Sequence, residues 1–310
     1  MWSGNPERQF ETLDSRLRGN DRDGSEIKMK MLSSDTHRKA EQFQIGLIRK
    51  APIFRRLQMV VSLSKTTRQL SWQGICERYP EETLDARIQR FVSLLYKDES
   101  LARRIRNLVK EKGSRKMKHP DIIEISLKVV RVFEKLGIAY HMGGSLASSA
   151  FGVARATVDV DIVADIKREQ VSPIEESLKE EFYVDAEVIR DAIKHQSSFN
   201  LIHLETMFKV DVFVLKDQPF DKQAFLRRFQ KLVSEDSPRQ LFFATPEDII
   251  LNKLKWYKMG GCISDRQWSD VLGVLKVQGE QLDMVYLKQW AEDLGISDLL
   301  GKALDEAGLL

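Results

Sequence analysis

Two short apolar segments that nonetheless carry aspartate fix most of what this chain can become. Residues 158–164 (VDVDIVA) alternate carboxylate with aliphatic side chains, and residues 208–215 (FKVDVFVL) form an apolar run broken by Asp211. Side chains two apart on a strand share a face, so Asp159 and Asp161 stand together with Val158, Val160 and Ile162 on the other side. An aspartate in a strand apolar on both faces is costly unless it is paired or coordinates a metal. A neighbouring strand brings Asp211 beside the pair. Adjacent carboxylates repel, and a hard divalent cation such as Mg²⁺ relieves that repulsion through oxygen ligands. The arrangement predicted is three carboxylates around a two-metal site. The plainer reading of Asp159 and Asp161 is a solvent-facing strand with two charges.

The elements around these segments alternate. A helix over 122–136 ends at Gly137, a strand follows over 138–142, and then come Gly143, Gly144 and Ser145 ahead of a helix-sized segment reaching Phe151. Glycines in a strand-to-helix turn let backbone approach a ligand, helix N-terminal amides face an anion, and the Ser145 hydroxyl adds a donor. Further strands are expected over 199–204 and 241–244, and helices over 168–180, 221–233 and 246–259. Past Gly261 the period is helical, over 268–277, 282–294 and 299–307. The fold class expected is α/β (α+β). It comprises a small mixed β-sheet domain over 121–245 with a C-terminal helical bundle over 246–310, preceded by an all-α basic module over 32–112 and a linker over 113–120.

Charge divides the chain at the same place. Residues 32–118 carry 20 Lys/Arg against 9 Asp/Glu, whereas residues 119–310 carry 23 against 31. Such asymmetry points to a basic module that meets an anion, RNA included, or one that docks on the acidic half of its own chain. Residues 1–31 are polar and without period, and are expected to be disordered. Part of that stretch resembles the translation of a bacterial intergenic repeat, which implies an over-extended start with Met29 or Met31 as initiator. The apolar runs are too short and too charged to span a bilayer, and Cys76 and Cys262 make neither a disulfide framework nor a zinc cluster. The expected location is cytoplasmic.

The order Gly-Gly-Ser, then Asp-x-Asp with 13 residues (146–158) between Ser145 and Asp159, then a strand aspartate resembles the polymerase-beta-type nucleotidyltransferase superfamily. The surrounding text is similar to its minimal nucleotidyltransferase and type IV abortive-infection toxin branch, over residues 121–310. The resemblance implies Mg²⁺-dependent transfer of NMP from an NTP, ATP among the candidates, to an RNA or protein hydroxyl in a toxin–antitoxin or abortive-infection setting. It makes Asp159, Asp161 and Asp211 the catalytic metal ligands, with Asp211 also helping to deprotonate the acceptor. It places Gly143, Gly144, Ser145, Arg155 and Lys253 on the nucleotide. It further implies an NTP, tRNA or other RNA, or a toxin or antitoxin protein as partners. Asp265 and Asp270 read as helix-surface or capping residues, and the five histidines show no metal spacing. The 32–112 module resembles a small helical protein encoded beside such transferases, fused here to one. A catalytically silent nucleotide- or RNA-binding module, and an antibiotic-modifying transferase, are the rival readings.

Overall fold

The computed structural model describes residues 30–33, 35–111, 121–235 and 239–310. Nearly all of the stretch expected to be disordered and the whole expected linker lie outside the described residues. Among the described residues four helices come first: α1 (Arg38–Lys50), α2 (Ile53–Arg78), α3 (Leu84–Tyr96) and α4 (Glu99–Glu111). The long helix α2 buries Arg56, Leu57, Val60, Ser64 and Arg68. Their spacing of three to four draws one stripe along the helix, the pattern of a helix seated on a core.

Helix α5 (Ile122–Lys135) opens behind an Asp121 cap whose carboxylate accepts from the Ile123 and Glu124 amides. Then follow β1 (Tyr140–Met142), α6 (Gly144–Phe151), β2 (Asp159–Ala164), α7 (Val171–Leu178), β3 (Phe182–Tyr183), α8 (Ala186–His195), β4 (Ser198–His203) and β5 (Phe208–Val214). The chain continues through α9 (Pro219–Leu226), β6 (Phe229–Leu232), β7 (Gln240–Phe243) and α10 (Pro246–Met259). It closes with α11 (Asp265–Gln278), α12 (Met284–Asp293) and α13 (Ser297–Ala307). The seven strands form one mixed sheet in the order β3-β4-β5-β2-β1-β7-β6. Strands β2 and β5 run parallel, while β1 pairs antiparallel with β2 and parallel with β7. The fold is thus the expected mixed α/β class.

Two local readings change. Residues 221–233 were expected as one helix, but α9 stops at Leu226 and Phe229–Leu232 becomes an edge strand paired with β7. The Phe-Gln-Lys-Leu pattern suits either period, and the open edge of β7 decides it. Helix α8 falls in a stretch given no element, although Asp185 caps it by accepting from the Glu187 and Val188 amides.

The charge boundary is not a packing boundary. Leu57 and Val60 of α2 belong to the same hydrophobic cluster as α5, α6 and the sheet. Arg56 donates to the Ala150 carbonyl at the end of α6 (3.0 Å), where the helix dipole favours a cation. Arg68 is buried, donates to the Thr206 and Met207 carbonyls (2.7 and 3.1 Å), and lies over the Phe91 and Phe208 rings. Among the described residues the ion pair that joins α1 to α11 runs opposite to the bulk charge. An acid of the basic half, Glu41, meets Lys276 of the acidic half at 2.5 Å, with both side chains buried. Arg56 and Arg68 therefore serve internal backbone carbonyls of the sheet domain rather than its carboxylates. No helix among the described residues is long and apolar enough to cross a membrane.

Candidate active site

Strand β1 delivers the Gly143–Ser145 turn to the middle of the sheet. The Gly143 amide donates to the Asp161 carbonyl at 2.9 Å, which ties the turn to β2. Gly144 sits at φ +52°, in the left-handed region, and a Cβ there would lie 1.6 Å from Asp161 Oδ2. Only glycine leaves the Asp161 carboxylate its place against the first turn of α6.

Register sets the rest. Asp161 is paired with Asp211 and Asp159 with Lys209 across the parallel β2–β5 ladder. Paired residues of a ladder, and residues two apart on a strand, share a sheet face, so all four side chains occupy a two-by-two grid. Lys209 Nζ lies 2.7 Å from Asp211 Oδ2 and 3.9 Å from Asp159 Oδ2. The other Asp211 oxygen is buried without a hydrogen-bond partner. Thr157 Oγ1 donates to the Asp159 carboxylate at 3.2 Å, and the Thr157 amide donates to Ser64 Oγ of α2 at 2.9 Å.

A second constellation stands beside the first. Arg155 grips Asp270 with two hydrogen bonds (2.7 and 2.8 Å) and donates to Ser145 Oγ at 2.6 Å. Lys253 of α10 reaches the same carboxylate at 2.7 Å. Asp270, read from sequence as a surface or capping residue, is buried on α11 and holds both cations expected at the triphosphate. Burial alone would raise its carboxyl, but Arg155 and Lys253 outweigh that and hold it below the usual carboxylate range. The sequence signal was its position between Trp268 and Val271, an acid on the apolar face of a helix.

Both constellations open on a cleft of about 1200 Å³. Ser64 and Thr67 of α2, the Gly143–Ser145 turn, Asp159, Asp161 and Lys253 line it; Asp211 and Lys209, paired with each other, do not. No three His, Cys, Asp or Glu side chains among the described residues are gathered closely enough to hold a metal as they stand. His141 is buried and pushed down to about 4 by that burial, so it is neutral at the cleft wall.

Burial, followed by the charges of Asp159 and Asp211, pushes the Asp161 carboxyl up to about 7, against a pull downward from Lys253. The unfolded chain releases that proton near 3.8, so the folded state holds the extra proton and stability falls as pH rises between those values. Asp161→Asn removes the penalty. Its melting temperature is expected to exceed that of the parent by about 5 °C at pH 8 and to converge with it near pH 4, as read by calorimetry. Equal melting at both pH values would refute a strained Asp161.

No protein-family model and no curated protein matches the chain. Among solved structures it is similar to an antigenic nucleotidyltransferase-like protein from Paracoccidioides brasiliensis (17% identity, TM-score 0.37, 58% of this chain and 91% of that one). It is also similar to the antibiotic-resistance factor ANT(2'')-Ia (11% identity, TM-score 0.38, 58% and 91%). A third likeness is to the cyclic AMP-GMP synthase DncV of Vibrio cholerae (16% identity, TM-score 0.21, 85% and 68%). Identities and TM-scores of this size describe distant likeness only.

Proposed function

We propose that the chain is a divalent-cation-dependent nucleotidyltransferase that moves NMP from an NTP to a hydroxyl of RNA or protein. The observation that carries this reading is one cleft joining a helix N-terminus and two cations to a carboxylate grid fixed by strand register. The first supplies donors for a triphosphate; the second is a hard oxygen site. The residues fit a divalent cation: Asp161 is half-buried beside Asp159, an oxygen of Asp211 is buried and unpartnered, and Gly144 leaves room at Asp161 Oδ2. Asp159 and Asp161 would hold the cation, which when bound lowers the charge on the reacting phosphate.

The chain's own groups account for the remainder. Amides at the start of α6 and the Ser145 hydroxyl bind the outer phosphates, while Arg155 and Lys253 balance their charge. The acceptor oxygen attacks the α-phosphorus, a P–O bond forms, the bond to the β-phosphate oxygen breaks, and pyrophosphate leaves with its charge against those two cations. The acceptor proton passes to water in the cleft, because Asp211, the base that the sequence resemblance implies, does not line it and is paired with Lys209. Positioning and preorganised charge supply most of the acceleration in transfers of this kind. The toxin–antitoxin or abortive-infection setting is the part of the proposal supported by sequence resemblance.

Purified chain incubated with Mg²⁺, each α-labelled NTP in turn, total bacterial RNA and lysate protein is expected to label a discrete RNA or protein band. Asp159→Asn should lower that labelling by at least about 10³-fold with the melting curve retained. Nucleotide binding without labelling would replace the enzyme by a silent nucleotide-binding module.

A further inference from the structure

Lys209 stands between two carboxylates of the grid. On the proposed reading of the site as a nucleotidyltransferase, we infer that one divalent cation serves this cleft and that the Lys209 ammonium is the resident second cation on the acceptor side. The grid carries the inference, because β2–β5 register rather than side-chain flexibility puts Lys209 beside Asp159, and Lys209 stands two residues before Asp211 on the same face. A two-metal site clamps the attacking and leaving oxygens with ions about 3.5–4 Å apart. Here the ammonium lies 2.7 Å from Asp211 and 3.9 Å from Asp159, close enough to both carboxylates to bridge them.

Three further observations agree. The Lys209 side chain is largely buried, at 17% exposure, and its ammonium lies over the Tyr96 ring at 5.4 Å. Tyr96 is itself anchored by donating to the Met207 carbonyl at 2.6 Å, so the lysine has a wall that limits where it can go. Asp211 and Lys209 both stand back from the cleft lining, whereas Asp159 and Asp161 open on it. The fixed ammonium offsets one carboxylate of the grid, so less negative charge is left for metal than three unpaired carboxylates would offer. Lys209 thus acts as a positioning residue: it holds Asp211 in an ion pair and keeps a second ion out.

The ion count can be read without turnover. Frozen-solution EPR of the full chain with Mn²⁺ and the α,β-methylene analogue of each common NTP distinguishes an isolated bound ion from a spin-coupled pair. The parent chain and Lys209→Arg should show the isolated ion, and Lys209→Met the coupled pair, a rise from one bound Mn²⁺ per chain to two. A coupled pair in the parent overturns the inference about Lys209 and leaves the transferase reading standing. Single-ion spectra in Lys209→Met, with its melting curve intact, overturn it likewise. No protein-bound Mn²⁺ with any analogue overturns both. The parent measurement stands even if Lys209→Met fails to fold.

Discussion

Gly144→Ala should abolish nucleotidyl transfer while leaving a folded protein. The added Cβ would lie 1.6 Å from Asp161 Oδ2, 2.4 Å from its Cγ and 2.8 Å from its Cβ. A rotation of the carboxylate relieves the first two contacts but not the third, so the β2 backbone or the turn has to move as well. The residue also stands at φ +52°, where an L side chain adds about 1–2 kcal/mol of strain. That cost is small against the stability of a domain of this size, whereas displacement of Asp161 by an ångström removes a ligand from the reacting centre. The expected loss in kcat is about 10³-fold or more, equal to that of Asp159→Asn. Steady-state labelling alongside a melting curve decides the matter. Activity within tenfold of the parent would mean that the Gly143–Ser145 turn does not brace the carboxylate grid.

Asp270→Ala attacks the other half of the site. Its carboxylate is the shared partner of Arg155 and Lys253, whose side chains are 26% and 13% exposed. Without it the two cations lose the carboxylate they share, and Arg155 loses the paired hydrogen bonds that aim its remaining donor at Ser145. Breaking a buried ion pair from one side costs about 3–5 kcal/mol. A melting-temperature drop is therefore expected together with a fall of about 10²-fold in kcat/KM, carried by KM for the NTP as much as by kcat. Asp270→Asn keeps the shape and should recover part of both. A normal KM for NTP in Asp270→Ala would show that Arg155 and Lys253 do not contact the triphosphate.

The residues of the grid differ in how far a one-dimensional reading could find them. Asp159 and Asp161 declare themselves because alternation with aliphatic residues is a local signal, and Asp211 because an acid inside an apolar strand is anomalous. The N-terminus of α10 is equally local: Thr245 caps it, Pro246 begins it and Glu247 and Asp248 follow, so its span was legible to the residue. Lys209 lies in the very strand that reveals Asp211, yet its role depends on which strand pairs with it and in what register. Asp270 depends on how α11 is rotated against α6 and α10. Ser64 and Arg68 depend on α2 crossing to the far side of the charge boundary. Register, helix rotation and crossing are tertiary quantities, and local patterning does not encode them individually.

Seen from inheritance, the contact between Ser64 and the Thr157 amide joins the two halves of the gene. A helix that merely rode along could be exchanged for another without consequence. Here α2 fixes the backbone two residues ahead of Asp159 and secures, through Arg68, the turn that launches the strand of Asp211. A recombination event between residues 111 and 121 would thus hand a sheet domain to helices that had never been selected to brace it. Because Ser64 and Arg68 bond to backbone groups, what they constrain is the path of those loops rather than the side chains the loops carry.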